Sequence, residues 1–403
     1  FVRNFSPEGT LIAAQAELPR IQAMGFDIVY LTPIHPIGLA ARKGSVGSPY
    51  AIMDYRAVNP DIGTANDLRA FARACHSLGM KLIIDVVYNH TSPDSVLAKE
   101  HPDWFIRGKD GKPGRKVDDW SDVVDLDFSV PAMRRYLIDT LLYWLEHGVD
   151  GFRCDVASLV PVDFWLEARA ACDAIQPTLW LAESVHKEFV TAMRALGHYA
   201  ACDAEIHEAF DLSYDYDGRQ QLEDAFSGQG RISEYLAHVQ LQSSMYPSHA
   251  IKARCLENHD QRRIASVIPD LDRLKNWALL CMLLPGTFFA YMGQEWAIDH
   301  IPSLFECDPM PRPCRNADCG SVDDFESWWI TAHRASKAIR ARATSFCARE
   351  VAIGVVQLEI KLADGSIAVA VLNLDGRRGL LKLHSSAVPS LHGMDILSGE
   401  ALS

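Results

Sequence analysis

The 403-residue chain lacks the features that would place it in a membrane or on a nucleic acid. No stretch reaches the ~18 consecutive apolar residues that a membrane-spanning helix requires. Positive charge is scarce, since 39 Lys and Arg face 52 Asp and Glu, and the formal net charge is −13. Because this balance repels phosphate backbones and anionic bilayers, we expect neither a nucleic acid nor a membrane as partner.

The sequence also lacks a cysteine framework. Its 10 cysteines are scattered singly, mostly in apolar or helical contexts, which is typical of small buried side chains. Cys307, Cys314 and Cys319 cluster at spacings that match no common zinc pattern, and a disulfide or metal there is left open. The scattered cysteines and the absence of a recognisable signal peptide predict a cytoplasmic protein, although a start at Phe1 leaves a removed leader open. Nothing indicates the oligomeric state.

What the sequence contains is a regular alternation of short apolar runs and helical patterns. The predicted strands are 2–5, 26–31, 80–88, 149–156, 179–184, 210–216, 253–260 and 287–293. The predicted helices are 11–24, 64–78, 131–147, 162–175, 187–197, 232–243, 273–284 and 325–341. Short β-branched runs between helices are typical of parallel strands buried on both faces. Eight of them predict an α/β fold, the (β/α)8 TIM barrel.

Two segments interrupt this alternation. Residues 91–130 follow the third strand and are far longer than an ordinary βα loop, so we predict an insertion that shapes the active site. Towards the C-terminus, alternating apolar residues surround Asp364-Gly365, which is a hairpin signal. We therefore predict a catalytic barrel over 1–347 and a small all-β domain over 348–403.

Polar residues collect at the C-terminal ends of four strands, where a barrel carries its active site. They are Asp85, Asn89, His90, Arg153, Asp155, Glu183, Asn258, His259 and Asp260. Phosphoryl transfer would need a Gly-rich anion cradle or several cations, whereas this set has one cation, Arg153. Glycoside cleavage needs a carboxylate paired with a carboxylic acid. Aromatic residues that could contact a sugar follow the second and third strands: Tyr50, Tyr55, Trp104, Phe105 and Trp120.

Four of these strand ends resemble the signature regions of the α-amylase family of glycoside hydrolases (family 13). The segments are DVVYNH at 85–90, GFRCDVAS at 151–158, LAES at 181–184 and ENHD at 257–260. They occur in the family's order, and SPYAIMDYRAVNPDIGT at 48–64 resembles the family's loop after the second strand. The insertion 91–130 falls where the family carries its domain B. The resemblance covers essentially the whole chain and is closest to amylase- and neopullulanase-like members.

The resemblance implies a role for each matching acid. Asp155 is the expected nucleophile, Glu183 the expected general acid/base, and Asp260 the third acid, which stabilises the transition state. A retaining mechanism predicts that the carboxyl groups of Asp155 and Glu183 lie about 5–5.5 Å apart. A desolvated site should raise the pKa of Glu183, so that it is protonated when the leaving oxygen departs.

Further side chains are expected to bind the substrate or to support the acids. Arg153 precedes Asp155 by two residues on one strand face, so its charge should hold that carboxylate ionised. The resemblance implies that His90 and His259 donate hydrogen bonds to sugar hydroxyls and that Tyr50 stacks on the same sugar ring. It places Asp85 behind them as a supporting residue.

Three positions depart from common family patterns. Ser158 replaces the Lys or His that many α-amylases carry three residues after the nucleophile. Val156 resembles neopullulanase-like and oligo-1,6-glucosidase-like members, which makes α-1,6 activity conceivable. Gly47 stands where exo-acting α-glucosidase relatives usually carry Asp, so internal cleavage is favoured.

Calcium is the family's frequent structural ion, bound between barrel and domain B. By position Asn89 and Asp125 could supply oxygen ligands, although the usual further acids are not recognisable. The resemblance implies no other cofactor and no catalytic metal.

The expected function is a retaining hydrolase that cleaves α-1,4-glucosidic bonds in starch-derived glucans or maltooligosaccharides. An α-glucan transglycosylase and an α-1,6-acting enzyme are the alternatives within the same chemistry, because all three share the first half-reaction. A non-catalytic member of the fold is the alternative from another class. That alternative predicts the loss of at least one acid, yet Asp155, Glu183 and Asp260 are all present.

Overall fold

The computed structural model describes residues 1–311, 320–377, 393–398 and 401–402. The chain divides into two compact units. The first unit comprises Phe1–Asp217, Met245–Ile251 and Pro302–Met310. The second unit comprises Gly218–Ser244, Lys252–Ile301 and Pro311–Ser403. Asp155 and Glu183 therefore lie in the first unit, and Asp260 lies in the second.

The first unit alternates strands with helices, as the sequence predicts. Its strands β1 to β7 are Ile28–Leu31, Lys81–Val86, His90–Thr91, Val124–Asp125, Gly151–Cys154, Leu179–Ala182 and Leu212–Tyr214. Its helices α1 to α9 are Val2–Phe5, Leu11–Gln15, Leu18–Ala23, Ala65–Ser77, Val96–Glu100, Pro131–Glu146, Val162–Asp173, Lys187–Ala195 and Asp203–Ile206. The helix predicted at 11–24 is divided in two, and Pro19, which has no N–H to donate, lies in the first turn of α3.

The strands β1, β2, β5, β6 and β7 pair in this order, and every pair is parallel. Helices connect successive strands, because a parallel pair needs a crossover. Strand β2 is buried from Leu82 to Val86, and the core around the strands includes the fully buried Trp144, Trp165 and Trp180. This arrangement brings the C-terminal ends of the five strands to one edge of the sheet.

The segment VRNF is a helix, not the predicted strand. Residues Val2–Phe5 form one helical turn, in which the side chains of Arg3 and Asn4 are buried. Arg3 donates to the carbonyl of Leu304 at 2.6 Å, and Asn4 donates to the carbonyl of Ser303 at 2.7 Å. In a strand these two side chains would point to opposite faces, whereas the helical turn lets both reach the same neighbouring segment.

The segment 91–130 has little regular structure of its own. It contains α5, a 3-10 turn at Pro102–Trp104, and β4, which pairs antiparallel with β3. The backbone N–H of Leu126 donates to the carbonyl of Asn89 at 3.0 Å. The end of this segment is therefore tied to the residues that follow β2.

The second unit contains a long helix followed by an antiparallel sheet. Helices α10 to α14 are Arg219–Phe226, Ile232–Met245, Ile264–Val267, Leu271–Leu283 and Gly320–Arg340. Strands β8 to β14 are Ile251–Arg254, Thr287–Phe288, Ala343–Ala352, Val355–Leu362, Ile367–Asn373, Gly393–Met394 and Ala401–Leu402. Strands β10, β11 and β12 pair antiparallel in this order. Gly365, at φ 85°, turns the chain between β11 and β12, which confirms the predicted hairpin at Asp364-Gly365.

The structure bears on two predictions, one about a cluster of cysteines and one about membrane-spanning helices. Of the predicted cysteine cluster, Cys307 is a free, exposed thiol, and Cys314 and Cys319 lie outside the described residues. Within the part of the chain that the structure describes, every helix is too short or too polar to cross a membrane.

Candidate active site

Arg153 on β5 is the centre of a buried group of three carboxyl side chains. Its Nη1 atom donates to both carboxylate oxygens of Asp85 at 3.0 Å and to Oδ1 of Asp155 at 2.8 Å. Its Nη2 atom lies 3.0 Å from Oε2 of Glu183. The side chains of Arg153 and Asp85 are fully buried, and those of Asp155 and Glu183 are 8% and 12% exposed. One guanidinium therefore contacts both the expected nucleophile and the expected acid/base.

The register of the parallel strands explains this convergence. Asp85 on β2 pairs with Arg153 on β5, and Asp155 and Glu183 directly follow β5 and β6. Side chains two residues apart on a strand share a face, so Arg153 and Asp155 point the same way. Strand alternation and a common edge therefore suffice to bring these four side chains together.

Three carboxyl groups around one guanidinium leave excess negative charge in a buried site. Burial raises the pKa of Asp155 well above its ordinary value, the charge of Glu183 raises it further, and Arg153 opposes both. Arg153 lowers this pKa, as predicted, but burial and the charge of Glu183 outweigh the guanidinium, so the net shift is upward. Two acids that repel each other in such a site titrate as a pair and retain a proton between them.

Val156 links the two expected catalytic acids through its backbone. Its φ of 35° and ψ of 45° are left-handed, a conformation that a β-branched residue rarely adopts. In this conformation its N–H donates to Oε2 of Glu183 at 2.8 Å, and a 3-10 turn at Ala157–Leu159 follows. Such backbone strain costs on the order of 1–3 kcal/mol and is found mostly at functional sites. The sharp turn after Asp155 thus fixes one oxygen of Glu183.

Two tyrosines donate hydrogen bonds to Asp85. The hydroxyl of Tyr30 lies 2.6 Å and that of Tyr50 lies 3.2 Å from Oδ2 of Asp85. The rings of Tyr50 and Tyr214 are 5.8 Å and 5.7 Å from the guanidinium carbon of Arg153. Sequence reasoning missed Tyr30 and Tyr214. Each is an aromatic hydroxyl in the C-terminal half of a predicted barrel strand, which is the signal that could have identified them.

His90 lies beside Oδ2 of Asp155, whereas Oδ1 of the same carboxylate accepts the hydrogen bond from Arg153. Its Nε2 atom is 3.8 Å from Oδ2 of Asp155, and its ring centroid is 5.3 Å from that of Trp120. The Nδ2 atom of Asn89 is 3.1 Å from Nδ1 of His90. Burial, and secondly the charge of Lys116, lowers the pKa of His90 to about 3, so its ring is neutral at ordinary pH. A neutral ring has one N–H donor, which suits the predicted hydrogen bond to a sugar hydroxyl.

The five aromatic residues predicted near a sugar separate into two groups. Tyr55, Trp104 and Phe105 belong to the hydrophobic core of the first unit, so these three are packing residues. Their apolar surface contributes more when buried than when exposed at a loop. Tyr50 and Trp120 remain partly exposed, and they lie beside Arg153 and His90 respectively.

His259 and Asp260 lie in the second unit, in the segment after β8. Nε2 of His259 is 3.0 Å from Oδ2 of Asp260, and the N–H of Asp260 donates to Oδ1 of Asn258 at 2.9 Å. Just before them, Glu257 forms a buried ion pair of 2.9 Å with Arg263. His259 is buried and the side chain of Asp260 is 35% exposed. The structure places these two predicted residues together, and their roles in catalysis stay predictions.

The two expected calcium ligands do not fit a calcium ion. Oδ1 of Asn89 accepts a hydrogen bond of 2.7 Å from Nζ of Lys116, which also lies 3.7 Å from Oδ2 of Asp125. An ammonium between these oxygens repels a bivalent cation. The described residues contain no group of three or more His, Cys, Asp or Glu side chains that could hold a metal ion.

Proteins similar to this chain match most of its length. The model of the α-amylase catalytic domain matches residues 4–309. The crystal structure of an alpha-amylase from Lactobacillus plantarum is 40% identical, with a TM-score of 0.88, and the match covers 100% of this chain and 92% of that chain. A noncanonic maltogenic alpha-amylase from Thermotoga neapolitana is 34% identical, with a TM-score of 0.80, over 93% of this chain and 84% of that chain.

Curated relatives of this chain are named as maltosyltransferases, whereas the two solved structures are named as amylases. The alpha-1,4-glucan:maltose-1-phosphate maltosyltransferase of Myxococcus xanthus is 33% identical over 261 residues, which are 59% of this chain and 36% of that protein. The enzyme of the same name from Salinibacter ruber is 36% identical over 192 residues, 41% of this chain and 28% of that protein. The chain therefore spans about a third of the length of these relatives.

These similarities settle the fold class. The fold is the predicted (β/α)8 TIM barrel with a small C-terminal all-β domain. The domain B insertion follows Lys81–Val86, which is the third predicted strand but the second described one, because residues Val2–Phe5 are helical. The domain boundaries at 91–130 and at 347/348 stay predictions, and β10 begins at Ala343, five residues before the latter.

Proposed function

Because the chain belongs to the α-amylase family, we propose that it is a retaining hydrolase of α-1,4-glucosidic bonds in starch-derived glucans or maltooligosaccharides. The observation that carries this proposal is the contact of one guanidinium, that of Arg153, with both Asp155 and Glu183. A retaining glycosidase needs two carboxyl groups about 5–5.5 Å apart, and the contact of both acids with one guanidinium supports a short separation between them.

Each acid has a distinct task in the proposed mechanism. The carboxylate of Asp155 attacks the anomeric carbon while Glu183 donates its proton to the departing glycosidic oxygen, and a covalent glycosyl-enzyme forms. Glu183, now ionised, takes a proton from a water molecule, whose oxygen attacks the anomeric carbon and releases Asp155. Asp260 stabilises the positive charge of both transition states. Two successive displacements restore the original configuration.

Substrate binding is assigned to His90, His259 and Tyr50, the residues that the family resemblance implies. His90 and His259 donate hydrogen bonds to sugar hydroxyls, and Tyr50 stacks on the sugar ring. The neutral ring of His90 supports this role, because it offers a donor without adding positive charge beside Asp155. The hydrogen bond from Tyr50 to Asp85 supports a fixed ring position.

Transglycosylation is the second candidate, because curated relatives that are 33% and 36% identical are maltosyltransferases. It uses the same glycosyl-enzyme, but a sugar hydroxyl replaces water in the second step. A maltosyl phosphate donor has less support from the site. Arg153 is fully buried and directed at three carboxyl groups, so it is not available to a phosphate.

The deciding experiment measures products with and without an added acceptor. The wild-type enzyme is incubated with soluble starch, maltotriose and pullulan, each with and without excess maltose, and reducing ends and chain lengths are followed. Hydrolysis creates one reducing end per bond cut, whereas transfer to maltose lengthens the acceptor and creates none. Phosphate release from maltose 1-phosphate with a maltooligosaccharide acceptor would replace the hydrolase proposal, and inactivity on every substrate would refute it.

The pH profile of cleavage should report the pKa at which Asp155 and Glu183 lose the proton that they share. The working enzyme has Asp155 ionised and Glu183 protonated, so activity is lost as rising pH removes this proton. Burial and mutual repulsion raise the pKa at which the pair releases it. We therefore expect the alkaline limb of kcat/KM on maltotriose well above the ordinary pKa of a glutamic acid, about 4.3. An alkaline limb at or below that value would contradict the assignment.

Gly47 supports internal cleavage over removal of terminal sugars. Its φ is +83°, and a Cβ atom there would lie 2.9 Å from side-chain carbons of Ile37 and Arg42. An aspartate that grips a chain end therefore cannot be placed at this position without moving its neighbours. The proposed substrate is a chain that continues past the cleaved bond.

Val156→Thr should alter the balance between α-1,6 and α-1,4 cleavage. Val156 directly follows the nucleophile, so its side chain is expected to narrow the acceptor side of the site. One small apolar contact discriminates by about 1–3 kcal/mol, so we expect the ratio of kcat/KM on panose and maltotriose to shift by roughly 10- to 100-fold. An unchanged ratio with activity intact would show that Val156 carries no specificity.

A further inference from the structure

We propose that the ammonium group of Lys116 takes the place of a bivalent cation where the insertion meets the barrel strands, and that it orients Asn89 and His90 for substrate binding. The first part concerns stability and is independent of the reaction. The second part rests on the proposed function. Each part has its own test.

Lys116 is a largely buried cation of the insertion. Its side chain is 11% exposed, and Asp125, on β4, is fully buried. The Lys116 ammonium lies 3.7 Å from Oδ2 of Asp125, and the backbone N–H of Lys116 donates to the same oxygen at 3.0 Å. Asp125 also pairs with His90 across the antiparallel strands β3 and β4. Lys116 therefore joins the insertion to the residues that follow β2.

Lys116 lies where a buried carboxylate needs a positive charge and where the surrounding side chains do not suit a metal ion. A buried carboxylate such as Asp125 requires an opposite charge nearby. Calcium would supply it only with six to eight oxygen ligands. Here Asn89 and Asp125 already face a lysine, and the described residues offer no group of three acidic, His or Cys side chains. The ammonium supplies the charge and three N–H donors without a coordination shell.

The same lysine sets the orientation of a residue beside Asp155. Because Oδ1 of Asn89 accepts from Lys116, the amide NH2 group of Asn89 must face His90. This NH2 group then donates to Nδ1, so the proton of the neutral ring is on Nε2. Nε2 is the atom 3.8 Å from Oδ2 of Asp155. Lys116 is thus a positioning residue that acts through Asn89.

Thermal unfolding of the wild-type protein tests whether the ammonium replaces a metal. Tm is measured after dialysis against excess EDTA, and again after CaCl2 is added in excess. We expect the same Tm in both conditions. A lower Tm in EDTA that CaCl2 restores would overturn the proposal, because the protein would then depend on a bound metal.

Lys116→Met tests whether the ammonium is needed. We expect Tm to fall by at least about 5 °C, because the change leaves the carboxylate of Asp125 buried without the opposite charge of the ammonium. Lys112→Met, an exposed lysine of the same insertion, is the matched control and should leave Tm unchanged. If Lys116→Met does not fold, the double variant Lys116→Met/Asp125→Asn removes both charges and should fold. Equal Tm values for Lys116→Met and the control would contradict the proposal.

A double-mutant cycle tests the orientation of His90. The Lys116→Met/Asp125→Asn variant should lose roughly 10-fold in kcat/KM on maltotriose, an effect typical of a supporting residue beyond the direct contacts. In a His90→Ala background the same pair of changes should have little further effect, since the ring to be oriented is gone. Fully additive losses would show that Lys116 does not act through His90. If the wild type is inactive on all glucans, the proposed function fails while the thermal tests still decide the first part.

Discussion

Asp155→Asn is expected to reduce cleavage of maltooligosaccharides by about 10⁴-fold or more, since removing a nucleophile abolishes the covalent pathway. The amide is close in size to the carboxylate and can still contact Arg153, so the fold should persist. Initial rates on maltotriose and on an activated aryl maltoside measure the loss. Both substrates should be affected, because each must form the same glycosyl-enzyme.

The control for this variant is Asp103→Asn, which neutralises an exposed carboxylate of the first unit. It should retain wild-type rates and a wild-type Tm. Activity within ten-fold of wild type in Asp155→Asn, on a preparation free of contaminating wild-type enzyme, would show that another group is the nucleophile. A loss of activity accompanied by unfolding would be resolved by Asp155→Ser, which should fold without the buried charge and remain inactive.

Glu183→Gln is expected to slow starch cleavage by about 10²- to 10⁴-fold, the contribution of a general acid. The expected effect depends on the leaving group. An activated aryl maltoside needs little protonation to depart, so its first step should stay close to the wild-type rate. Because the second step then lacks its base, glycosyl-enzyme should accumulate, and intact-protein mass spectrometry should detect it.

The matched control is Glu188→Gln, whose side chain is 74% exposed five residues along the chain. It should behave as wild type on both substrates. If Glu183→Gln slowed starch and the aryl maltoside equally, Glu183 would not be the general acid. The variant also retains an oxygen that can accept the N–H of Val156, so the backbone turn after Asp155 should be preserved.

The sequence by itself determined the elements of the fold and the positions of the acids. Apolar runs such as 80–88 and 149–156 are strands because β-branched residues pack well on both faces of a parallel sheet. Asp85, Arg153 and Asp155 could be grouped from sequence alone, since side-chain alternation and a shared strand edge are local rules. The hairpin at Asp364-Gly365 was likewise predictable, because glycine at a tight turn is a local requirement.

The tertiary structure decided what depends on partners distant in sequence. The turn at Val2–Phe5 is helical because Arg3 and Asn4 must reach carbonyls near residue 304, about 300 positions away. No local pattern encodes such a contact. For the same reason the burial of Tyr55 could not be predicted from its position in a loop. An aromatic side chain there can pack in the hydrophobic core or contact a sugar equally well.

The net effect of the charges within the site also could not be predicted from the sequence and became clear only from the structure. Spacing alone predicts that Arg153 lowers the pKa of Asp155, yet burial and Glu183 outweigh the guanidinium. Likewise Asn89 and Asp125 have the chemistry of calcium ligands, but Lys116, between them in the chain, folds back to donate to one and pair with the other. Sequence gives the kinds of charge that are present, and only the fold decides which charges are buried together, because desolvation depends on everything packed around them.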